Sequence, residues 1–248
     1  MSAVDIAILA ALIFAAAALY TSVGHAGASG YIAAMAFFGV APDVMKPTAL
    51  TLNILVASVA TMQLQQAGLI KWRALLPLVV ASIPLAFIGG ATQLPGHWYR
   101  ALIGLVLLAA AARLFFYPRS ASSEPAEMRV MPTWAGTVTG GAVGLLSGLT
   151  GTGGGIFLSP VLIFFRWANP RQQAGLTGPF ILANSVAGLA GNLVSLRRLP
   201  VEIPYWIVAA LLGAVLGTQL GIRWLGTPGL QKALAIVLVI AAAKFIVA

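Results

Sequence analysis

The sequence contains no cysteine and very little negative charge. Only five of its 248 residues are acidic, and the cysteine count is zero. A disulfide framework and a thiolate metal site are therefore excluded. None of the acidic residues lies inside a long apolar run; they are Asp5, Asp43, Glu124, Glu127 and Glu202. Because intramembrane proton relays and acid–base active sites are commonly built from buried carboxylates, neither is expected here.

Motifs of several enzyme classes are missing as well. The sequence has no HExxH motif and no phosphate-binding loop that carries a lysine. Its GTGGG segment at 151–155 follows an apolar helical run and not a strand, so it does not indicate a nucleotide-binding fold. We therefore expect no catalytic residue, no metal ligand and no cofactor, and the sequence favours a function other than catalysis.

Charged residues of either sign are scarce, and apolar residues replace them. Charged side chains make up 8% of the chain, hydrophobic residues make up 60%, and the mean hydropathy is +0.98. Soluble domains have about a quarter of their residues charged. The net charge of +9 comes from basic residues in short breaks between apolar runs, where they set topology and do not indicate nucleic-acid binding. This composition predicts an all-α polytopic protein embedded in a lipid bilayer.

The lengths of the uncharged runs repeat along the chain. In order they contain 37, 24, 26 and 12 residues in the first half, and 36, 25, 20 and 11 in the second. The segment 118–132 between the halves is rich in Ser, Pro and charge, which is typical of a surface linker. We therefore predict a first membrane repeat at 1–117, the linker at 118–132, and a homologous second repeat at 133–248.

The longest run of each half is too long for a single crossing. A helix of that length would extend about 55 Å, whereas the hydrocarbon core is about 30 Å thick. Glycines interrupt both runs, at 24–30 and at 148–155. Broken helices at corresponding places in two repeats indicate a substrate site, and a glycine turn before a helix directs free N–H groups at an anion. The alternative is that these glycines only allow close helix packing.

The short apolar pieces after the breaks decide the topology. If each piece crosses the bilayer, each half has five crossings and the two repeats are inverted relative to each other. The 14 basic residues then divide into nine inside and five outside. If the pieces are re-entrant, each half has four crossings and the best division is eight and six. The positive-inside rule favours the crossing arrangement.

The glycine-rich GTGGG loop, the short apolar piece that ends near Pro170 and the Ala/Gly/Thr-rich helix start together resemble the TauE/SafE family of sulfite exporters and related sulfonate or anion permeases. The resemblance covers nearly the whole chain and is stronger at 148–178 than in the first half, where GHAGASG stands at 24–30. It implies a secondary transporter of sulfite, organosulfonates or similar anions in the bacterial cytoplasmic (inner) membrane.

Candidate substrate-binding residues are the polar groups and glycines near the two breaks. Each has a structural alternative: His25 and the two asparagines could hydrogen-bond within the bundle, the hydroxyls could satisfy nearby backbone, and Lys46 could extend to the headgroups. The candidates are Gly24, His25, Gly27, Ser29, Lys46, Asn53, Thr152, Gly153, Gly154, Gly155 and Asn184.

The expected function is secondary transport of a small anion. An anion channel, or the membrane subunit of a larger transport complex, is the alternative that the residues leave open. The expected partners are the anionic substrate and the lipid bilayer, without nucleic acid, and a homo-oligomer is compatible with the sequence.

Overall fold

The computed structural model describes residues 2–116, 129–223 and Val239, and every regular element within them is helical. Five of the helices are long and apolar enough to cross a bilayer. Two helices of ten residues each, Ala28–Phe37 and Gly155–Phe164, follow the glycine-rich segments. Most of the proposed linker at 118–132 and almost all of the last apolar run lie outside the described residues.

The described residues form nine α-helices and one 3₁₀ turn. The 3₁₀ turn is Leu193–Arg198. The helices are α1 (Ala3–Thr21), α2 (Ala28–Phe37), α3 (Pro42–Gln66), α4 (Trp72–Ala91), α5 (Gly96–Phe116), α6 (Thr133–Thr150), α7 (Gly155–Phe164), α8 (Pro170–Gly191) and α9 (Ile203–Arg223).

Local sequence fixes where the two most buried long helices, α3 and α8, begin. Pro42 and Pro170 occupy their first positions, where the missing N–H would have had no partner. Before α8, the Asn169 side chain accepts a hydrogen bond from the Gln172 backbone N–H, and the Gln172 side chain accepts one from the Asn169 backbone N–H. This capping box satisfies two donors that the helix start would otherwise leave open.

The helices α3 and α8 pack against each other in opposite directions at the centre of the bundle. Near the start of α3, Asp43 forms a 2.7 Å ion pair with Arg198, which follows the end of α8. Near the end of α3, Leu64 lies against Gly178 in the first half of α8. Because the start of each helix lies beside the end of the other, the pair is antiparallel.

Two outer pairs of helices run parallel, each through a row of small residues. On α6, Gly140, Gly144 and Gly148 approach the α4 backbone at Leu78, Ser82 and Ala86 in that order. On α9, Gly213, Gly217 and Gly221 approach the α1 backbone at Phe14, Ala18 and Ser22. Residue numbers rise together along both contacts, so the partners point the same way. Small residues let backbones approach this closely in membrane proteins.

We expect Gly144→Ala to lower the stability of the protein and Gly188→Ala to leave it unchanged or raised. A Cβ on Gly144 would lie 2.6 Å from the Ser82 Cα, whereas the nearest atom to a Cβ on Gly188 is 3.5 Å away. Overpacking costs about 1–3 kcal/mol, while Ala in a helix is favoured over Gly by about 0.5–1 kcal/mol. Reversible unfolding in mixed micelles measures the change in the free energy of unfolding for each variant. Equal effects of the two substitutions would contradict this packing.

Candidate functional site

The first glycine segment, residues 22–27, separates α1 from α2. Gly24 and Gly27 have φ values of +78° and +99°, which residues with a Cβ rarely adopt. Gly27 is the N-cap of α2, and Gly24 packs on the backbone of Ala174 in α8. The chain therefore turns sharply in the protein interior, immediately before a buried helix.

The second glycine segment, residues 151–154, separates α6 from α7 in the same way. Gly151, Gly153 and Gly154 all have positive φ, at +80°, +76° and +82°. Gly154 is the N-cap of α7, and Gly155 is the first residue of that helix. Two glycine segments thus each precede a ten-residue helix.

The two glycine segments meet in the protein interior. His25 of the first segment is 3% exposed, and its Nε2 lies 3.1 Å from the carbonyl oxygen of Gly155 and 2.7 Å from Ser159 Oγ. Its Nδ1 lies 3.1 Å from the Val23 carbonyl oxygen. The Gln173 amide donates to Ser159 Oγ at 2.7 Å, which ties α8 into the same network. His25 is therefore held inside the bundle at the junction of the two halves.

A second group of polar side chains surrounds Gly153 and Gly154, and we call Asn53, Ser147 and Ser185 the Asn53 cluster. A Cβ on Gly153 would lie 2.7 Å from Asn53 Nδ2 and 3.0 Å from Ser185 Oγ, and a Cβ on Gly154 would lie 3.2 Å from the Ser147 Cβ. Asn53 and Ser147 are fully buried, as is Ser185. Among the described residues, no group hydrogen-bonds to either amide atom of Asn53 or to the two serine hydroxyls.

Unsatisfied buried polar groups are costly, so their concentration at one place indicates a ligand. Each costs about 1–3 kcal/mol when it loses water without gaining a partner. The backbone N–H groups of residues 153–156 are also without a backbone acceptor in the described part of the chain, as expected at the start of α7. Amide, hydroxyl and backbone donors beside the positive end of a helix dipole are suited to an anion.

Three of the other polar candidates are already engaged. Asn184 donates to the Phe180 carbonyl at 2.8 Å and accepts from the Ser82 hydroxyl on α4. The Thr152 hydroxyl lies 2.8 Å from that of Thr150, and Ser29 donates to the Tyr20 hydroxyl at 2.7 Å. The contact between Asn184 and Ser82 connects α8 to α4, whereas the contact with Phe180 lies within α8.

Lys46 lies beside the second glycine segment and not the first. A Cβ on Gly151 would be 3.1 Å from the Lys46 Cγ. Lys46 also lines a cavity of about 330 Å³ at the start of α3, together with Tyr99, Asn192, Ser195 and Arg198. A much smaller cavity, about 30 Å³, lies at the start of α8 and is lined by Gly24, Arg171 and Thr218 among others.

Sequence reasoning missed Ser147, Ser159, Gln173 and Ser185. Each is a hydroxyl or amide side chain in a largely apolar helix, and such residues are common in membrane bundles. Helical spacing offers a signal for one of them: Ser159 is one turn after Gly155. That spacing predicts that Ser159 shares a helix face with Gly155, but not which neighbouring helix the face meets.

The arrangement of long apolar helices around two buried glycine segments defines a multi-pass helical membrane protein. The chain belongs to a family described as "Sulfite exporter TauE/SafE", which it matches over residues 9–245. It is 37% identical over 242 residues to "Probable membrane transporter protein y4hK" of Sinorhizobium fredii (strain NBRC 101917 / NGR234), with 96% of this chain and 97% of that protein covered. No solved structure matches it. The protein is accordingly a membrane transporter.

We expect Asn53→Leu to stabilise the anion-free protein by about 1–3 kcal/mol, because it replaces a buried amide without partners by an apolar side chain of similar size. Asn184→Leu is the matched control on the other central helix. It should destabilise the protein, because the Ser82 hydroxyl then loses its acceptor. Thermal unfolding in detergent compares the two. If Asn53→Leu destabilised the protein as much as Asn184→Leu, the Asn53 amide would have a structural partner and no ligand role.

Proposed function

We propose that this protein is a secondary transporter that moves a small anion, such as sulfite or an organosulfonate, across the bacterial cytoplasmic membrane. The observation that carries the proposal is the Asn53 cluster: the buried Asn53 amide and the Ser147 and Ser185 hydroxyls have no partners among the described residues, and these side chains lie beside Gly153 and Gly154 at the N-terminal end of α7. Membership of the TauE/SafE family supports the substrate class.

The chemistry of the proposed site favours an anion over a cation. Its groups are amide and hydroxyl donors together with backbone N–H groups, and its helix contributes the positive end of its dipole. No acidic side chain lies within the apolar runs that form the bundle. Glycines at 153 and 154 place no side chain of their own over the backbone N–H groups at this point. Binding by neutral donors would allow the anion to leave as readily as it enters.

The directions of the helices support an inverted repeat. α1 runs parallel to α9, and α4 runs parallel to α6, while α3 is antiparallel to α8. Consecutive helices α8 and α9 lie on either side of the turn at Leu193–Arg198, so we take them as opposite crossings. In that arrangement α3 points the same way as α1, which requires α2 and its flanking residues to complete a crossing between them. Five crossings in a half would then invert the next half.

The unequal cavities support alternating access. The larger one, about 330 Å³, reaches Lys46 from the end of the bundle that holds the Asp43–Arg198 pair. The smaller one, about 30 Å³, lies at the opposite end, beside Gly24. A carrier that exposes its site to one side at a time has one open and one closed approach at any moment. A channel would need both approaches open together.

We expect Gly153→Val to abolish anion binding in protein that remains folded. The new side chain would collide with Asn53 Nδ2 and Ile181, each 2.7 Å from its Cβ, and the residue would be strained at φ +76°. Losing two hydrogen bonds to a charged ligand, at roughly 1.5–3 kcal/mol each, weakens binding on the order of 100-fold or more. Thermal shift with sulfite, sulfate, sulfoacetate, taurine and acetate on monodisperse detergent-purified protein measures binding.

Gly188→Ala is the control for that experiment, since it also adds a Cβ to a buried glycine without a close contact. It should bind the anion normally. Normal binding by folded Gly153→Val would place the site elsewhere. Uptake into proteoliposomes at carrier rates, without single-channel currents in planar bilayers, is expected of the wild type. Large currents would instead favour an anion channel, and a co-purifying ATPase would favour a subunit of a larger complex.

A labelling experiment tests the proposed crossing of α2. If α1 and α2 both cross, Ser2 and Asp43 lie on the same side of the membrane, whereas a re-entrant α2 puts them on opposite sides. The chain has no cysteine, so Ser2→Cys and Asp43→Cys each give a single reactive thiol. We expect both to react with an impermeant maleimide from the same side of oriented vesicles. Reaction from opposite sides would rule out the inverted five-crossing arrangement.

A further inference from the structure

The Lys46 ammonium is bound at the C-terminal end of α4. Lys46 lies in the second turn of α3 and is 8% exposed. Its Nζ donates to the carbonyl oxygens of Gly89, Gly90 and Thr92, at 3.1, 3.0 and 3.2 Å. Three backbone carbonyls from one helix end thus converge on a single buried cation.

These three contacts use the full donor capacity of the side chain. A lysine ammonium has three N–H groups and no acceptor. With one N–H directed at each carbonyl, no donor is left for an anion in this arrangement, although Lys46 lines the larger cavity. Lys46 therefore differs from Asn53, whose amide has no partner among the described residues. Its ammonium contributes a fixed charge and does not act as a direct ligand.

The carbonyls converge because α4 ends there. The last carbonyls of a helix have no intrahelical partner, and they carry the negative end of its dipole. Gly90 packs directly on the α8 backbone at Gly188, so the contacts of Lys46 with Gly89 and Gly90 are buried, while its contact with Thr92 is partly buried. Asp43, the acidic residue that lines the same cavity, is paired with Arg198. The site thus consists of neutral oxygens only, and such sites suit monovalent cations, whereas calcium sites include carboxylates.

We propose that the carbonyl oxygens of Gly89, Gly90 and Thr92 form a monovalent-cation site whose built-in occupant is the Lys46 ammonium. At the corresponding fifth position of α8 the second half has the uncharged Ala174, which packs on Gly24 as Lys46 packs on Gly151. The protein then needs no potassium or sodium ion at this site. Any role of this cation site in anion transport rests on the proposed function, whereas the existence of the cation site does not.

Without the Lys46 side chain, the three carbonyl oxygens should need a free monovalent cation in place of the ammonium. We expect Lys46→Ala to be less stable than wild type in choline chloride and to be restored saturably by potassium, sodium or ammonium chloride. At a cation concentration about 100 times its dissociation constant, the melting temperature should rise by roughly 5–10 °C. Wild type should show no such difference between the four salts at equal ionic strength.

Lys71→Ala is the matched control, because Lys71 is an exposed lysine at the start of α4. It should respond to the four salts as wild type does. An equally flat response of Lys46→Ala would overturn the proposal. Failure of Lys46→Ala to fold in all four salts would overturn it as well, since a free cation should replace the ammonium.

A second variant separates the charge from the packing of the lysine stem. Lys46→Met keeps most of the stem that packs on Gly151 but carries no charge, and it leaves no room for an ion. We expect it to be destabilised relative to wild type and not restored by any of the salts. Stability equal to wild type in choline chloride would mean that the carbonyls require no cation. Because chloride is the common anion of all four salts and no candidate substrate is added, the comparison between the salts is independent of whether Gly153→Val loses anion binding.

Discussion

The constraint on which this structure depends is that a backbone polar group inside a bilayer must find its partner within the protein. A continuous helix provides a partner for each of its backbone polar groups except those at its two ends. Among the described residues, such ends include the buried starts of α2 and α7 and the C-terminal end of α4, where Gly89 and Gly90 are buried. The last is satisfied by the Lys46 ammonium. The start of α7 instead has open N–H groups beside side chains that also have no partner.

The same constraint explains the distribution of glycine. In the glycine segments, positive φ lets the chain turn without a Cβ, as at Gly154 before α7. Along α6 and α9, glycine has another use: it brings two parallel backbones into contact, because there is no hydrophobic gain from association between helices already in lipid. Glycine therefore permits a backbone turn in the glycine segments and close helix packing along α6 and α9. The atoms nearest to each glycine distinguish the two uses.

Much of the architecture could be predicted from the sequence, because length and charge decide where helices can cross a bilayer. The helical class, the family and the residues that flank each glycine segment follow from local features. The partners of side chains do not. Asn53 and Asn184 occupy similar surroundings in sequence, yet the structure leaves the Asn53 amide unpaired and joins Asn184 to Ser82. Lys46 contacts the glycine segment of the opposite half. Both outcomes depend on which helices meet, which local sequence does not encode.

The pairing of α1 with α9 has a consequence for synthesis. The Thr21 hydroxyl on α1 lies 3.4 Å from the Ala214 carbonyl on α9, a separation of 193 residues along the chain. Because α1 precedes α9 in the chain, it must remain in the membrane, with its small-residue face against lipid, until α9 has been inserted. α6, by comparison, can pack on α4 as soon as α6 is inserted, because α4 precedes it closely in the chain. The order of translation thus leaves the α9-facing surface of α1 open to wrong partners until α9 has been made.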